Sequence, residues 1–486
     1  MRAFLASSIG VACSAALVLP LPLALPASAA PTSSATSSAT GARTSSPVAA
    51  RTSSAPAAGD VSVPGTTQSL PLRALPSERA AGAAVRGLTR RDVRPFSLVG
   101  VVWDDPDAEL HGSVQVRTRA SDTGAWSGWQ SVETHNHDHA ADPGTPERDS
   151  GTVRGSTAPL WVGASDGVEV RVRAEAPRTG AAPAPLPRGM RIELVDPGDE
   201  PASEPAGEPA SEDTAQGPEL PEGNDTGTTS GQVPVPALTP EESAASAVNA
   251  ELVPLGSAEI PELSKEETEA AYADRFGEEA VAAKPYIGPR PRIVTRKGWG
   301  ADEKLRERNF VYTRSVQAAF VHHSATGNNY SCKQAPSVLR SIYRYHVKSS
   351  GWRDFGYNFA VDKCGNIYEG RAGGVAKAVL GAHTRGFNTN SMGIAVLGTY
   401  SQSTPPSAAV TAVARLTAWK LGLYGKDPRG KATLTSGGGN RYKKGAKVRL
   451  NVISGHRDGF LTDCPGTRLY GKLGTARSTS AKYQGR

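Results

Sequence analysis

The pattern of hydrophobic and polar positions changes along the chain, and the first patterned region predicts strands. Between residues 93 and 197, short apolar runs alternate with polar positions, and Gly, Asp and Pro separate the runs. This region shows no helical period. We therefore predict a small all-β sandwich domain over residues 93–197. Its predicted strands cover residues 96–103, 113–118, 168–172 and 190–195.

A second patterned region, residues 286–472, mixes strand-like and helix-like stretches. Apolar residues recur at i, i+3 and i+4 spacing over residues 336–349, which predicts a helix with one buried face. A second helix is predicted over residues 407–423, where Ser407 follows two prolines as an N-cap. We therefore predict an α/β domain in this region. Its predicted strands cover residues 316–322, 357–362, 366–369 and 392–397.

Three segments lack a pattern that would form a core. Residues 30–92 are rich in Ala, Ser, Thr and Pro, and we expect them to be disordered because they bury too little apolar surface to offset the entropy of ordering. Residues 198–285 form an acidic, Pro- and Glu-rich linker that we expect to be extended, with a short helix over residues 260–279. Residues 473–486 are expected to form a polar tail.

The first 29 residues have the features of a secretory signal peptide. Arg2 precedes an apolar run, and small residues at positions 27–30 form an A-x-A-like cleavage site. A membrane anchor is the alternative, but prolines interrupt the run and no later stretch approaches the roughly 20 apolar residues that a membrane span needs. We therefore predict a secreted protein, located outside the cell or at the cell wall, without a membrane span.

Charge divides the chain into two parts of opposite sign. Residues 285–486 contain 33 Lys and Arg against 9 Asp and Glu, whereas residues 1–284 contain 21 against 38. A basic module of this kind predicts a polyanionic partner. For an exported protein, an anionic cell-wall polymer fits better than nucleic acid. The alternative is that the charge only keeps the module soluble.

Two short stretches carry residues that bind zinc in proteins. A strand-like run ends in His322 and His323, and far downstream His456 and Cys464 lie on one polar loop. Two histidines and one cysteine leave the fourth position of a tetrahedral zinc site open to water, which distinguishes a catalytic site from a closed structural one. The alternative makes Cys464 the nucleophile of a Cys/His hydrolase, and the Pro465 that follows it argues against this.

The number of cysteines agrees with a zinc site. Once a leader containing Cys13 is removed, three cysteines remain, and an odd cysteine in an oxidising compartment needs an explanation. In the simplest arrangement, Cys332 and Cys364 form a disulfide and Cys464 is a zinc thiolate. The alternative makes Cys332 and Cys364 metal ligands, although neither has a neighbouring histidine in the sequence.

Two features of the β-domain region have both a structural and a functional interpretation. Its tryptophans favour core packing over a sugar-binding platform. Residues 135–139, His-Asn-His-Asp-His, contain possible metal ligands, but no hydrophobic frame surrounds them in the sequence, so a solvated loop is the favoured interpretation. The tryptophans are Trp103, Trp126, Trp129 and Trp161.

Six stretches, in a fixed order over residues 290–472, resemble the peptidoglycan recognition protein family, which is related to the phage-lysozyme type of N-acetylmuramoyl-L-alanine amidase. The resemblance implies a mixed β-sheet flanked by helices, with a groove that admits the peptide stem of peptidoglycan. It does not extend to the first 285 residues. The six stretches are residues 296–301, 321–324, 351–359, 368–371, 381–384 and 455–466.

The resemblance implies which side chains form the metal site. The zinc ligands are His322, His456 and Cys464. Successive residues of a strand point to opposite sides, so His323 is implied to face away from the groove as a packing or supporting residue. This set leaves one position of the ion to a water molecule.

The resemblance also implies catalytic and substrate-binding residues. Tyr357 matches the family's catalytic tyrosine, and Thr462 matches the position that active members use beside the metal. For the two histidines among the substrate-binding candidates, a purely structural role is the alternative. The substrate-binding candidates are Arg371, Asn388, His346 and His383.

Together these residues imply a secreted, zinc-dependent N-acetylmuramoyl-L-alanine amidase. Such an enzyme hydrolyses the amide bond between the lactyl group of muramic acid and the L-alanine of the stem peptide, with peptidoglycan as substrate and zinc as cofactor. The alternative is a module that binds peptidoglycan without cleaving it. Relatives of that kind typically lack the zinc cysteine, which this chain has as Cys464. Stem-peptide preference does not carry over, because residues 372–375 depart from the family's pattern.

Overall fold

The computed structural model describes residues 64–75, 85–134, 137–175, 185–199, 238–284 and 286–486. The predicted signal peptide, the first part of the segment 30–92 and the first part of the acidic linker lie outside the described residues. All described residues belong to one compact unit, which spans residues 60–486. Among the described helices, none has the length and apolar character needed to cross a bilayer.

The N-terminal part of the described chain is an antiparallel sheet of eight strands folded around an apolar core. Six strands follow the order β1-β8-β3-β7-β4-β5, and two short strands, β2 and β6, pair with β3. The strands are β1 (Pro64–Pro71), β2 (Arg73–Ala74), β3 (Val85–Trp103), β4 (Gly112–Ala120), β5 (Gln130–Val132), β6 (Gly155–Ser156), β7 (Leu160–Ala174) and β8 (Arg191–Gly198).

The long strand β3 links the two halves of this sheet. Its first part pairs with β7, and after register shifts between Leu88 and Leu98 its second part also pairs with β8. Such irregularities bend a strand, so that inward residues of β3, β4 and β7 meet around one core. The predicted all-β domain is confirmed.

The prediction of disorder over residues 30–92 is wrong for its described part. Strand β1 pairs with β8 from Pro64 to Pro71, and β3 begins at Val85. The sequence of β1 has few large apolar residues because β1 is an edge strand, held by backbone hydrogen bonds to β8. The amino-acid composition of residues 30–92 therefore does not predict strand β1.

The four tryptophans do not share one environment. Trp103 and Trp161 are buried, at 1% and 6% exposure, as the core prediction requires. Trp126 and Trp129 are half-buried on the sheet surface, where guanidinium groups lie over their rings. The arginines over these two rings are Arg90, Arg117 and Arg171.

The C-terminal part contains a mixed sheet in the order β17-β11-β14-β12-β13-β10-β9, and β15 pairs with β16 as a separate hairpin. Strand β11 lies parallel to both β14 and β17, and all six of its residues are buried. The strands are β9 (Glu259–Ile260), β10 (Ile293–Val294), β11 (Ala318–His323), β12 (Phe359–Val361), β13 (Ile367–Glu369), β14 (Ser391–Val396), β15 (Lys431–Thr435), β16 (Lys447–Asn451) and β17 (Ile453–Gly455).

Helices flank the mixed sheet, which confirms the predicted α/β class. The predicted helix over residues 336–349 is α4 followed by a wider π-helical turn, and its apolar face is buried. In α5, Ser407 is the first helical residue and Pro406 holds the N-cap position. The helices are α1 (Pro240–Ala247), α2 (Lys265–Phe276), α3 (Glu278–Ala282), α4 (Ala335–Arg344), α5 (Ser407–Leu423), α6 (His456–Gly459), α7 (Thr467–Tyr470) and α8 (Leu473–Tyr483).

The described part of the predicted acidic linker is folded. Helices α1 to α3 form there, and β9 joins the mixed sheet through Ile260, which is fully buried. The Asn249 amide donates a hydrogen bond of 2.9 Å to the buried Glu369 carboxylate on β13. The sequence does contain a signal for these helices, because Thr239 and Ser264 each begin a capping box that ends in a glutamate.

The predicted polar tail is also helical. Helix α8 packs along α5, where the Thr417 hydroxyl lies 3.0 Å from the Ser480 hydroxyl and both residues are fully buried. Small residues allow this close approach, and their low hydrophobicity is why the sequence indicated a tail.

The β-domain and the α/β domain share an apolar core. Leu98, Val102 and Trp161 of the β-domain pack with buried residues of α4 and the turn that follows it. In that turn, the Tyr345 hydroxyl donates a hydrogen bond of 3.1 Å to the Thr157 carbonyl. The shared core fixes how the β-domain lies against the α/β domain.

A disulfide between Cys332 and Cys364 ties the start of α4 to the turn between β12 and β13. We expect the Cys332→Ser/Cys364→Ser chain to lose about 3–4 kcal/mol in the free energy of unfolding, because the bridge closes a loop over a sequence separation of 32 residues. Urea unfolding followed by circular dichroism measures this loss. An unchanged unfolding midpoint would contradict the expectation.

Candidate metal centre

Strand pairing brings His322 and His456 to the same edge of the mixed sheet. Val321 on β11 lies opposite Gly455 on β17 in a parallel pair, so the next residues lie side by side: His322, the penultimate residue of β11, and His456, the first residue after β17. Their ring centroids are 4.5 Å apart, and both side chains are fully buried. This pairing explains why two histidines that are far apart in sequence meet.

Cys464 completes the predicted set of three. Its sulfur lies 3.7 Å from His322 Nδ1, and the residue is fully buried. Among the cysteines of the described residues, it is the one outside the disulfide. The structure therefore brings His322, His456 and Cys464 together.

A fourth donor comes from the β-domain. His139 Nε2 lies 3.2 Å from His456 Nδ1, and the His139 ring centroid is 5.2 Å from that of His322. One donor atom from each of these three histidines and the sulfur of Cys464 all lie within 4.8 Å of one another. The buried cluster thus contains three imidazoles and one thiol.

The donor types, and two of the separations between donor atoms, fit a zinc ion. In a tetrahedral site with Zn–N distances of about 2.0–2.1 Å and a Zn–S distance of about 2.3 Å, two nitrogens lie about 3.3 Å apart, and a nitrogen and a sulfur about 3.6 Å apart. The observed separations are 3.2 Å between the nitrogens of His139 and His456, and 3.7 Å between His322 Nδ1 and the Cys464 sulfur. Imidazole and thiolate together are also the donors that zinc prefers.

Burial shifts the pKa values of these side chains. Burial and the neighbouring histidines lower the pKa of His322 well below its ordinary value. Burial and the adjacent His139 lower the pKa of His456 to about 3, so both imidazoles are neutral, as metal ligation requires. Burial raises the pKa of Cys464 well above its ordinary value. A bound divalent cation reverses this, because a coordinating thiol loses its proton.

Tyr357 and Thr462 lie beside the cluster. The Tyr357 ring is 5.3 Å from the His322 ring, and burial raises the pKa of its phenol well above the ordinary value. The phenol therefore keeps its proton and is a hydrogen-bond donor. The Thr462 hydroxyl accepts a hydrogen bond of 3.1 Å from the Cys464 backbone N–H.

The two candidate substrate-binding histidines are both buried near the cluster. His383 Nδ1 lies 3.0 Å from the Thr384 hydroxyl, which in turn lies 3.3 Å from His322 Nε2. His346 stacks on Trp352 at 4.4 Å, and its Nδ1 accepts a hydrogen bond of 3.2 Å from the Gly356 N–H. His383 thus contacts Thr384, whose hydroxyl contacts the candidate ligand His322. His346 instead packs against the ring of Trp352.

The other two substrate-binding candidates contact the β-domain. Both guanidinium NH₂ groups of Arg371 donate hydrogen bonds of 2.8 Å to the carboxylate of Glu147. The side-chain amide of Asn388 donates to the Ala140 carbonyl and, at 2.6 Å, to the Asp142 carboxylate. Their substrate-binding role remains a prediction.

Residues 135–139 are predicted to form a solvated loop, and this prediction is wrong for residues 138 and 139, which are buried. Residues 135 and 136 lie outside the described residues, but Asp138 is fully buried and His139 is 5% exposed. Burial alone would raise the pKa of Asp138, but the adjacent histidines His139 and His456 hold it below its ordinary value. The hydrophobic frame missing from the local sequence is supplied by the other domain. The sequence signal for a metal site here is the run of possible ligands itself, His-Asn-His-Asp-His at residues 135–139.

His323 faces away from the four-donor cluster. Its Nδ1 accepts a hydrogen bond of 3.3 Å from the Tyr400 N–H, and its Nε2 lies 3.5 Å from the Glu133 carboxylate. His323 is not one of the four grouped donors. Its neighbour on β11, His322, is therefore the histidine that joins the site.

Comparisons with known proteins match both halves of the chain. Residues 312–467 match the family described as N-acetylmuramoyl-L-alanine amidase, and residues 49–206 match the family described as Rv3811 N-terminal galactose-binding domain-like. The solved structure of Drosophila PGRP-LB is 26% identical and covers 38% of this chain and 92% of that chain, with a TM-score of 0.30.

Two curated relatives are also similar in sequence to part of this chain. Peptidoglycan-recognition protein SC2 of Drosophila melanogaster is 33% identical over 184 residues, which are 38% of this chain and 85% of that protein. The N-acetylmuramoyl-L-alanine amidase of Homo sapiens is 31% identical over 209 residues, which are 42% of this chain and 31% of that protein. The chain therefore belongs to the peptidoglycan recognition protein family, and its α/β domain is an N-acetylmuramoyl-L-alanine amidase domain.

Proposed function

We propose that this chain is a secreted, zinc-dependent N-acetylmuramoyl-L-alanine amidase acting in the cell wall. It hydrolyses the amide bond between the muramic acid lactyl group and the L-alanine of the stem peptide. The observation that carries the proposal is the buried Cys464 sulfur, 3.7 Å from His322 Nδ1 and grouped with His456. A module that only binds peptidoglycan has no need for a buried thiol among histidines.

The proposed ligands are His322, His456 and Cys464. Two neutral imidazoles and one thiolate leave the site with a net positive charge. When bound, zinc supplies a Lewis acid for the amide carbonyl and a nucleophile at neutral pH. Neutral imidazoles at His322 and His456 need no deprotonation before they bind the ion.

Tyr357 and Thr462 supply the remaining polar groups. Attack on the amide carbonyl creates an oxyanion, and the protonated Tyr357 phenol donates a hydrogen bond to it. The Thr462 oxygen accepts from the Cys464 N–H, which fixes the backbone beside the ligand and leaves the hydroxyl proton for donation towards the substrate. These two residues therefore have positioning and charge-stabilising roles.

The charge distribution supports a cell-wall location for the substrate. The segment containing the amidase domain, residues 285–486, has a large excess of Lys and Arg. We propose that this excess holds the domain on anionic wall polymers, in addition to the peptidoglycan bound in the groove.

Removing the metal is the direct test of this function. We expect dialysis against a strong chelator to abolish release of stem peptides from peptidoglycan, and added Zn²⁺ to restore it, because the nucleophile depends on the ion. Mass spectrometry of the digest identifies the bond by a new L-alanine N-terminus. The control is the same preparation dialysed without chelator. A fully zinc-loaded chain that leaves this bond intact, both as the native protein and as the His139→Ala variant, would refute the proposal.

A further inference from the structure

A loop of the β-domain, residues 137–149, enters the amidase domain beside the metal cluster. We refer to it as the docking loop. Three of its four acidic side chains, Asp138, Asp142 and Glu147, are 0%, 7% and 6% exposed. Carboxylates are rarely buried to this extent unless they have specific partners. The partners of this loop therefore indicate what it does.

Two of these carboxylates bind groove residues. Glu147 accepts two hydrogen bonds of 2.8 Å from Arg371, a buried bidentate pair. Asp142 accepts from the Asn388 amide at 2.6 Å and from the Gly386 N–H at 2.7 Å. Arg371 and Asn388 are predicted substrate-binding residues, so the docking loop occupies groups proposed to bind substrate.

His139 is oriented as a metal ligand is. Its Nδ1 lies 3.0 Å from the Asp138 carboxylate, which accepts from an Nδ1–H and leaves Nε2 as the ring atom that can bind a metal. That Nε2 is the atom 3.2 Å from His456 Nδ1. A carboxylate behind the ring is the usual partner of a metal-bound histidine, because it fixes the tautomer and the ring orientation.

A hydrogen bond between His139 and His456 is the simpler alternative. It would account for the 3.2 Å separation of the two nitrogens. It would not account for the convergence of both rings with His322 and the Cys464 sulfur within 4.8 Å. A shared cation accounts for all four donors at once.

We propose that His139 is the fourth protein ligand of the zinc ion, so that the docking loop closes the metal site. This inference rests on the proposed zinc amidase. A site with four protein ligands has no position for water, which makes it structural in character rather than catalytic. The chain in this conformation is latent, and it becomes active when the docking loop leaves the groove.

Metal spectroscopy tests the ligand directly. Zinc X-ray absorption of the native full-length chain is expected to show three imidazoles and one sulfur, and His139→Ala is expected to show two imidazoles, one sulfur and one oxygen. His137→Ala is the matched control, because His137 lies on the same loop, pairs with Glu109 at 3.1 Å and is not among the four donors. It is expected to keep the native ligand count.

Metal affinity gives a second measurement. Competition with a chromophoric chelator is expected to show weaker zinc binding by His139→Ala, by at least the roughly 10- to 100-fold that loss of a ligand-orienting group costs. Asp138→Asn is expected to weaken binding by about tenfold while keeping the native ligand count. An unchanged affinity in His139→Ala, with two imidazoles in the native chain, would overturn the inference. The native ligand count decides the matter even if His139→Ala fails to fold.

Hydrolysis separates this inference from the proposed function. Glu147→Gln removes the charge that pairs with Arg371, and we expect stem-peptide release to rise by at least about tenfold as more chains have an open groove. The His139→Ala chain is expected to be at least as active as Glu147→Gln. If neither variant cleaves although both bind zinc, the amidase proposal fails while the ligand count still stands. If the native chain is as active as both variants, the latency fails while the amidase proposal stands.

Discussion

Cys464→Ser is expected to lower stem-peptide release by at least about 10³-fold, or about 4 kcal/mol of transition-state stabilisation. The thiolate is the one anionic ligand of the proposed site, and a serine hydroxyl does not replace it as a zinc ligand. The fold is expected to survive, because the two side chains are nearly isosteric. Zinc content, measured by mass spectrometry of the metal, is expected to fall with the activity.

The disulfide variant is the matched control for Cys464→Ser. Cys332→Ser/Cys364→Ser also removes sulfur, but from the bridge between the start of α4 and the β12–β13 turn. It is expected to keep one zinc per chain and full hydrolysis under conditions where it is folded. Hydrolysis at the native rate by Cys464→Ser would end the assignment of a zinc amidase.

Tyr357→Phe is expected to lower kcat by about 10²–10³-fold, the usual effect of removing one oxyanion donor. Zinc content is expected to stay at the native level, because Tyr357 is not one of the four grouped donors. KM is expected to change little, because the hydrogen bond forms in the transition state. Kinetics are measured both in the native chain and in the His139→Ala background, where the fourth position of the metal is open to water.

Tyr330→Phe is the matched control for this variant. Tyr330 and Tyr357 are both 4% exposed, and the Tyr330 hydroxyl donates to the Leu397 carbonyl instead of facing the cluster. We expect Tyr330→Phe to lower stability slightly and to leave kcat unchanged. If Tyr357→Phe loses zinc, or if its kcat is native, the phenol is not an oxyanion donor.

Local patterns were sufficient for much of the amidase domain. The buried strand β11 and the helix α4 follow from runs of apolar residues with clear periods, and these place His322 at a strand end. His456 and Cys464 follow from their residue types on one short polar loop, and the resemblance implies that they bind zinc together with His322. The structure brings these residues together because β17 pairs in parallel with β11.

Contacts between domains were beyond the reach of sequence patterns. His139 and His456 are 317 positions apart, and their contact depends on how the β-domain packs against α4. The local sequence around residues 137–139 therefore does not predict that this loop is buried. The prediction of disorder is wrong for edge strand β1 for a related reason. This strand is held by backbone pairing with β8 and not by its own side chains.

The apolar core shared by the two domains has a consequence for proteolysis. A protease that cuts the chain between residues 199 and 238 severs the covalent connection, but Trp161 and the Tyr345–Thr157 contact still join the fragments. The fragments would co-elute as a nicked complex with His139 still at the metal. Such a cut would therefore leave the docking loop, residues 137–149, in the groove.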